Sequence, residues 1–426
     1  MKKITLIIMI VHCLQVFQAQ CQENALKIDQ LKVGDQLTDQ MWNFPLNLTD
    51  QSLEQRQVKL SEYKGKLIIL DFWATWCSSC IAGFPKLEKL QTQFSDQIKV
   101  LLVTTESPSI VNPFLSKRND RNQKLTLPTV LSDSLLHVIF PHRLIPHYVW
   151  IDANGTIMNI TASNEVTAES ISATLRGSFP NKQQKIDLDI NRALFTVEAL
   201  PEQKLQYYSI LLKGYYAGLG SGTSYRSQRD TVHGIALTNS ELTYIYQTAS
   251  SSLLPHNSEK RMVIDALAKK ALKGNVDDKE WNVNNLYSYE IRIPVSQSNS
   301  LYQRMLEHLN QATDFHGTIT KKRITCLVLR KTRSLIHQSK GGTRENDLNE
   351  NSELHIVNSP ILALTGRLNN AFKDLIIDET GIDYHIDLHL KIHENDLEKT
   401  NEELKLLGLK LIETTRKTQV LFLQAD

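Results

Sequence analysis

Leu67-Ile68-Ile69-Leu70 is an unbroken apolar run that leads straight into Asp71-Phe72-Trp73-Ala74-Thr75-Trp76-Cys77-Ser78-Ser79-Cys80. Four consecutive apolar residues read as a fully buried strand. After Cys80 the apolar residues Phe84, Leu87 and Leu90 recur at helical spacing. Cys77 is therefore expected at a strand-to-helix turn, on the first turn of the helix. Unsatisfied N–H groups and a partial positive charge at that end favour thiolate over thiol. The thiolate is the attacking species in disulfide exchange, and two intervening residues leave Cys80 near enough to close a disulfide with Cys77. A bare C-x-x-C is also half of a zinc site. Zinc usually takes four ligands, and the sequence offers no second C-x-x-C or nearby His pair, so redox chemistry is the favoured reading.

The 426 residues are 41% hydrophobic, enough for two or more domains with ordinary cores. Met1 to Ala19 reads as a secretory signal: Lys2 and Lys3 form the charged start, Ile4 to Phe17 is mostly apolar, and Ala19 precedes the cut. A transmembrane anchor is the weaker reading, because the run is short and broken by His12 and Gln15. Lipidation of Cys21 is the minority alternative, since Gln20 is a poor residue before a lipoprotein cut. The chain holds 48 basic and 46 acidic residues. Removing Lys2 and Lys3 leaves 46 against 46, which gives no electrostatic reason to expect nucleic acid or an anionic membrane as partner. Without the signal, and hence without Cys13, Cys21, Cys77, Cys80 and Cys326 remain. That is one redox pair and two single thiols, too few for a disulfide scaffold.

The stretch Trp73-Ala74-Thr75-Trp76-Cys77-x-x-Cys80 resembles the thioredoxin superfamily, in particular its TlpA/ResA-like envelope thiol-disulfide oxidoreductases. The resemblance implies an α/β thioredoxin fold over residues 26–180, with an N-terminal β-hairpin extension between Lys32 and Lys66. It implies export to the periplasm or cell envelope, and no metal or organic cofactor. The implied partners are a protein disulfide substrate and a thiol electron donor, membrane-linked. His142-Arg143-Leu144-Ile145-Pro146-His147-Tyr148-Val149-Trp150-Ile151-Asp152-Ala153-Asn154-Gly155 resembles the family's Ile-Pro-x-x-x-x-Ile-Asp-x-x-Gly stretch. There the proline is cis and faces the two cysteines, where it can pair an extended substrate strand. Pro146 takes that role here, with Ile145 and Trp76 as the other substrate-binding candidates, while Trp73 is read as core. Asp71 matches a buried carboxylate that accepts the proton of Cys80. The bland alternative is a carboxylate hydrogen-bonded for structure. His142 and His147 are read as exposed loop histidines without a catalytic role. Ser78-Ser79 stands where thioredoxin has Gly-Pro, and these residues tune thiol pKa and potential, so the direction of electron flow stays open.

Residues 181–221 read as a helical linker, with helices over 186–200 and 202–216. Residues 222–426 read as an α+β module with a weak internal repeat. Each copy is expected to be β-α-β-β. Their final hairpins turn over Lys321-Lys322-Arg323 and over Thr415-Arg416-Lys417, and Leu329 and Leu423 lie 423 − 329 = 94 residues apart. This half resembles the "soil-associated protein" family of unknown function through Ile376-Ile377-Asp378-Glu379-Thr380-Gly381-Ile382 and Leu406-Leu407-Gly408-Leu409. Cys326, in an alternating strand, reads as a buried inert thiol. The chain as a whole reads as a thiol-disulfide oxidoreductase working in the reductive direction. The rival reading is a redox-regulated binding protein whose C-terminal modules capture an envelope partner.

Overall fold

The computed structural model describes residues 29–425 apart from 51, 122, 179–183, 197–203, 256–257, 273–280, 282–283, 334–335 and 349–352. The expected export signal and Cys21 lie outside the described residues. Among the described residues no helix is long and apolar enough to cross a membrane. Residues through Asp189, with Ala217–Gly220, form one compact unit; Ile190–Tyr216 and the residues from Ser221 onward form the other.

The first unit contains β1 (Leu46–Thr49), β2 (Gln55–Val58), β3 (Leu67–Phe72), α1 (Ser78–Gln93), β4 (Ile98–Val103), α2 (Pro108–Asp120), β5 (Thr129–Leu131), β6 (His147–Ile151), β7 (Ile157–Thr161) and α3 (Ala168–Leu175). The strands make one sheet in the order β2-β1-β5-β4-β3-β6-β7. The pairs β3–β4 and β4–β5 are parallel; β1–β2, β1–β5, β3–β6 and β6–β7 are antiparallel. This is a thioredoxin-like fold.

All six residues of β3 are buried. Leu67 and Ile69 join the core that holds Cys77, Cys80, Phe84 and Leu87, while Ile68, Leu70 and Phe72 join the core on the opposite face. Each such side chain contributes about 1.5–3 kcal/mol through burial. The period of two puts Asp71 on the face of Leu67 and Ile69, under the helix that carries the cysteines. At the β6–β7 turn, the Asp152 carboxylate accepts the N–H groups of Asn154 (2.9 Å) and Thr156 (2.8 Å). Gly155 sits there at φ +98°, and a Cβ would lie 2.7 Å from the Trp42 ring, so only glycine fits.

The second unit contains β8 (Tyr208–Lys213), β9 (Gly222–Gln228), β10 (Thr231–Glu241), α4 (Leu242–Ser250), β11 (Met262–Ile264), β12 (Leu286–Arg292), α5 (Leu301–Ala312) and β13 (Phe315–Lys331). It continues with β14 (Glu345–Leu348), β15 (Glu353–Ser359), α6 (Ile361–Ala371), β16 (Ile376–Asp378), β17 (Ile386–Lys391), α7 (Leu397–Leu406) and β18 (Leu409–Ala425). Its sheets run β8-β12-β10-β9, β11-β18-β13-β16 and β14-β15-β17.

Two expectations fail here. The first is the helical linker. Its described residues from Ile186 to Thr196 are irregular or turn, and Tyr208–Lys213 is a strand paired with β12. The apolar residues Ile186, Leu188 and Ile190 recur every second position, a strand spacing rather than a helical one. The second is the pair of terminal hairpins. Phe315–Lys331 and Leu409–Ala425 are each one continuous strand, paired with each other from Phe315↔Ala425 to Lys331↔Leu409. Charge at Lys321-Lys322-Arg323 is not turn chemistry: no Gly, Pro or Asn-Gly is present, and the exposed–half-buried–exposed alternation runs through. Each segment is thus β-α-β ending in a long strand. The ribbon serves two cores. Leu421 and Leu423 pack with Ile235, Tyr246 and Met305, whereas Leu409 and Leu411 pack with Leu327, Leu354 and Leu364. Cys326 is a buried free thiol against Val328 and Leu375.

A buried ion pair ties the start of this unit to its first sheet. Arg226 Nε meets Glu290 Oε1 at 2.9 Å, with the two side chains 5% and 0% exposed. The Leu194 N–H donates to Glu290 Oε2 (2.6 Å), and the guanidinium also donates to the carbonyls of Ile190 and Arg192. A cut at residue 222 removes these three partners and β8. A buried polar group left unsatisfied costs about 1–3 kcal/mol. Residues 190–426 expressed alone should therefore melt cooperatively, and residues 222–426 should melt roughly 5 °C or more lower. Equal melting temperatures would show that the segment before 222 contributes nothing.

Candidate functional site

Cys77 is the N-cap of α1, and its Sγ accepts the N–H of Cys80 at 3.2 Å. Cys77 and Cys80 are joined as a disulfide, with Cα atoms 5.3 Å apart. Cys80 is fully buried and Cys77 is 5% exposed. A helix N-terminus beside Cys77 Sγ favours the thiolate once the bond opens.

Asp71 is fully buried, and neither carboxylate oxygen makes a well-formed hydrogen bond among the described residues. Burial pushes its carboxyl well above the usual carboxylate range, and the Tyr148 hydroxyl pulls it back part of the way. Tyr148 is the cross-strand neighbour of Asp71. Its hydroxyl reaches α1, 3.7 Å from where a Cβ on Gly83 would lie, one turn beyond Cys80. Burial and the adjacent Asp71 charge push the Tyr148 phenol up as well.

The Ile145–Pro146 peptide is cis. His147, the first residue of β6, pairs with Phe72, the last residue of β3. Pro146 therefore lies at the carboxyl end of β3, where the Trp73–Cys77 loop also departs. Trp73 is core, packed edge-on to Phe84 at a ring separation of 5.2 Å, while Trp76 is 74% exposed. A groove of about 240 Å³ beside them is lined by Trp76, Glu106, His137, His142, Arg143 and Ile145. Of the six residues singled out in the sequence, Cys77, Cys80 and Asp71 thus share one face of β3. Trp76, Ile145 and Pro146 lie at its carboxyl end.

The histidine expectation needs correcting. His147 is 3% exposed and His142 is half-buried, and their rings stack at 4.5 Å. Burial pulls His142 down to about 4 and His147 to about 2, so both rings are neutral at physiological pH. The loop turns inward because Phe72, His137 and the Lys185 side chain pack around it.

Glu106 was not legible as a site residue. It accepts the Thr75 N–H at 2.7 Å and the Thr75 hydroxyl at 2.9 Å, which fixes the loop just before Cys77. The signal was present: β3 and β4 are adjacent parallel strands, so the loops leaving their carboxyl ends must meet.

Residues 32–175 match the Redoxin family. The thiol-disulfide oxidoreductase ResA of Geobacillus thermodenitrificans is 30% identical over 132 residues, covering 30% of this chain and 72% of that protein. The thioredoxin-like protein YneN of Bacillus subtilis is 27% identical over 158 residues, covering 37% of this chain and 83% of that protein. Among solved structures, the thioredoxin domain of a thiol-disulfide oxidoreductase from Bacteroides vulgatus aligns at 20% identity and a TM-score of 0.26, covering 35% of this chain and 98% of that one.

The Asp71 carboxyl carries a sign that can be checked by melting. With its folded pKa above the unfolded one, the folded state binds more protons between the two values. The contribution of Asp71 to stability is therefore fully present below the ordinary carboxylate pKa and is lost as pH rises through the raised folded value. Oxidised Asp71→Asn should melt at least about 3 °C above the natural protein at pH 7. The gap should close as pH falls below about 4. A variant that melts lower at pH 7 would show the carboxylate to be satisfied.

Proposed function

The chain belongs to the ResA-like thiol-disulfide oxidoreductases, and from that premise we propose that it reduces protein disulfides in the cell envelope through Cys77, Cys80 and Asp71. The observation that carries this is the Cys77–Cys80 pair at a helix start, on the face of β3 that buries the Asp71 carboxyl.

In the reductive direction the Cys77 thiolate attacks one sulfur of the substrate disulfide. The substrate S–S bond breaks, a bond from Cys77 Sγ to substrate sulfur forms, and the leaving thiolate takes a proton from solvent. Cys80 then gives its proton to the Asp71 carboxylate, whose raised pKa suits it to that exchange. The Cys80 thiolate attacks Cys77 Sγ, the mixed disulfide breaks, and the second substrate thiolate departs. Two electrons pass from the Cys77/Cys80 dithiol to the substrate, leaving the Cys77–Cys80 disulfide. A thiol donor of the membrane restores the dithiol. The substrate strand lies along the Ile145–Pro146 edge, with Trp76 as an exposed apolar contact.

Met1 to Ala19 is the export signal in this reading, and β1–β2 is the N-terminal extension of the TlpA-like branch. Residues 222–426 hold two related copies: β12, α5 and β13 answer to β17, α7 and β18, with the long strands starting 409 − 315 = 94 residues apart. Their likeness to the "soil-associated protein" family adds no chemistry. Their role here is choice of client, by adding contacts and raising the effective concentration of one substrate at the redox site.

Cys80→Ser should accumulate covalent complexes through Cys77, because the mixed disulfide then has no internal route to collapse. Asp71→Asn should slow the resolving step about a hundredfold while leaving first attack intact. Trapping by non-reducing electrophoresis and single-turnover kinetics read these out. No complex from Cys80→Ser would reject the exchange mechanism, and partner capture surviving loss of both cysteines would favour a binding protein instead.

A further inference from the structure

Lys185 and Asp187 lie beyond the stretch that matches the Redoxin family, and the exchange mechanism does not use them. Both side chains are buried, 2% and 7% exposed, and they form an ion pair at 2.6 Å. Lys185 Nζ also donates to the Leu144 carbonyl at 2.8 Å and meets His147 Nδ1 at 3.2 Å. An ammonium can only donate, so Nδ1 of His147 is the acceptor and the ring proton sits on Nε2. Asp187 Oδ2 accepts the backbone N–H groups of Arg143 (2.8 Å) and Leu144 (2.9 Å). The segment itself is tied down by the Lys185 N–H to the Ile160 carbonyl and the Leu188 N–H to the Gly218 carbonyl, each at 2.9 Å.

These bonds converge on the residues just before Ile145–Pro146. A surface loop normally satisfies its backbone groups with water. Here three of them, two N–H groups and one carbonyl, are held by a buried ion pair from a distant segment. A buried pair is poor evidence for stability, since apolar residues of similar size often hold a core as well. Charges in this place do what apolar side chains cannot: they fix the direction of particular backbone groups.

We propose that Lys185 and Asp187 are positioning residues for the disulfide-docking loop, clamping Arg143–Leu144 and so setting where Ile145–Pro146 meets a protein substrate. The proposal rests on reading that loop as the docking edge. The clamp acts on substrate docking rather than on sulfur chemistry, so its loss raises KM for a folded protein disulfide and spares kcat. It also makes the docking edge depend on the chain that leads out of the redox unit.

The test uses the full chain carrying Lys185→Met together with Asp187→Leu, which removes both charges and leaves no buried ion alone. Amide hydrogen exchange is measured at Arg143 and Leu144, with Leu101 and Val149 of the central sheet as internal controls. Loss of the acceptor should speed exchange at Arg143 and Leu144 about tenfold, with the control amides unchanged. The KM for reduction of insulin should rise several-fold at constant kcat, and Asp187→Asn, which keeps an acceptor oxygen, should restore most of both. Unchanged exchange at Arg143 and Leu144 would overturn the clamp. Faster exchange with an unmoved KM would overturn its part in docking. Because the amide measurement needs no turnover, a protein inactive on insulin would count against the docking reading alone, and the clamp would still be decided.

Discussion

Strand β3 is buried on both faces, and the rest of the redox unit is fixed by that constraint. A strand covered on both sides cannot slip register, because a shift by one residue would exchange its two apolar sets. Its carboxyl end is therefore a fixed point. The Trp73 N–H donates to the Val103 carbonyl at 3.0 Å, which starts the redox loop in place. The parallel neighbour β4 ends beside it and delivers Glu106, and the antiparallel neighbour β6 begins there with His147. Three stretches far apart in sequence thus meet at one end of the central strands, with no side chain having to search for its partner.

The polar groups around that end of the sheet fall into two kinds. Glu106, Lys185 and Asp187 are anchored by short contacts, and each restrains a piece of loop backbone. Asp71 makes no well-formed hydrogen bond among the described residues, and only the Tyr148 hydroxyl is placed to offset its burial. A buried carboxyl without partners is destabilising once ionised, and proteins keep such groups where their protonation does something. The first kind holds the loops still; in the proposed mechanism Asp71, of the second kind, exchanges a proton with Cys80. The ion pair between Arg226 and Glu290 in the second unit belongs to the first kind, and its partners account for it as structure.

What the sequence disclosed follows the range of the interactions. The strand, the turn and the helix around Cys77 are set within a few residues of one another, and apolar spacing alone revealed them. Asp71, Trp76, Ile145 and Pro146 were placed by a local motif, and the fold brings them to one end of the sheet. Contacts made across the chain were not visible. Thr75 and Glu106 are 31 residues apart, and Lys185 and Leu144 are 41. His142 and His147 looked exposed because their cover is completed from afar, by Phe72 and Lys185. The long strands of the second unit were misread for the opposite reason. A local cluster of cations was given the meaning of a turn, when strand pairing over seventeen positions decided the matter.

The ribbon of Phe315–Lys331 with Leu409–Ala425 has a bearing on how the chain is made. Synthesis runs from the amino end, and domains generally fold as units as they emerge. The core around Ile235 and Tyr246 is completed by Leu421 and Leu423, and among the described residues β11 pairs with β18 alone. The opening half of this unit therefore waits, with apolar surface uncovered, until β18 has left the ribosome. A premature stop that removed only the final strand would strip a wall from the earliest core as well as from the latest. Closure of both cores thus rests on one strand, β18, which supplies Leu421 and Leu423 to the first and Leu409 and Leu411 to the second.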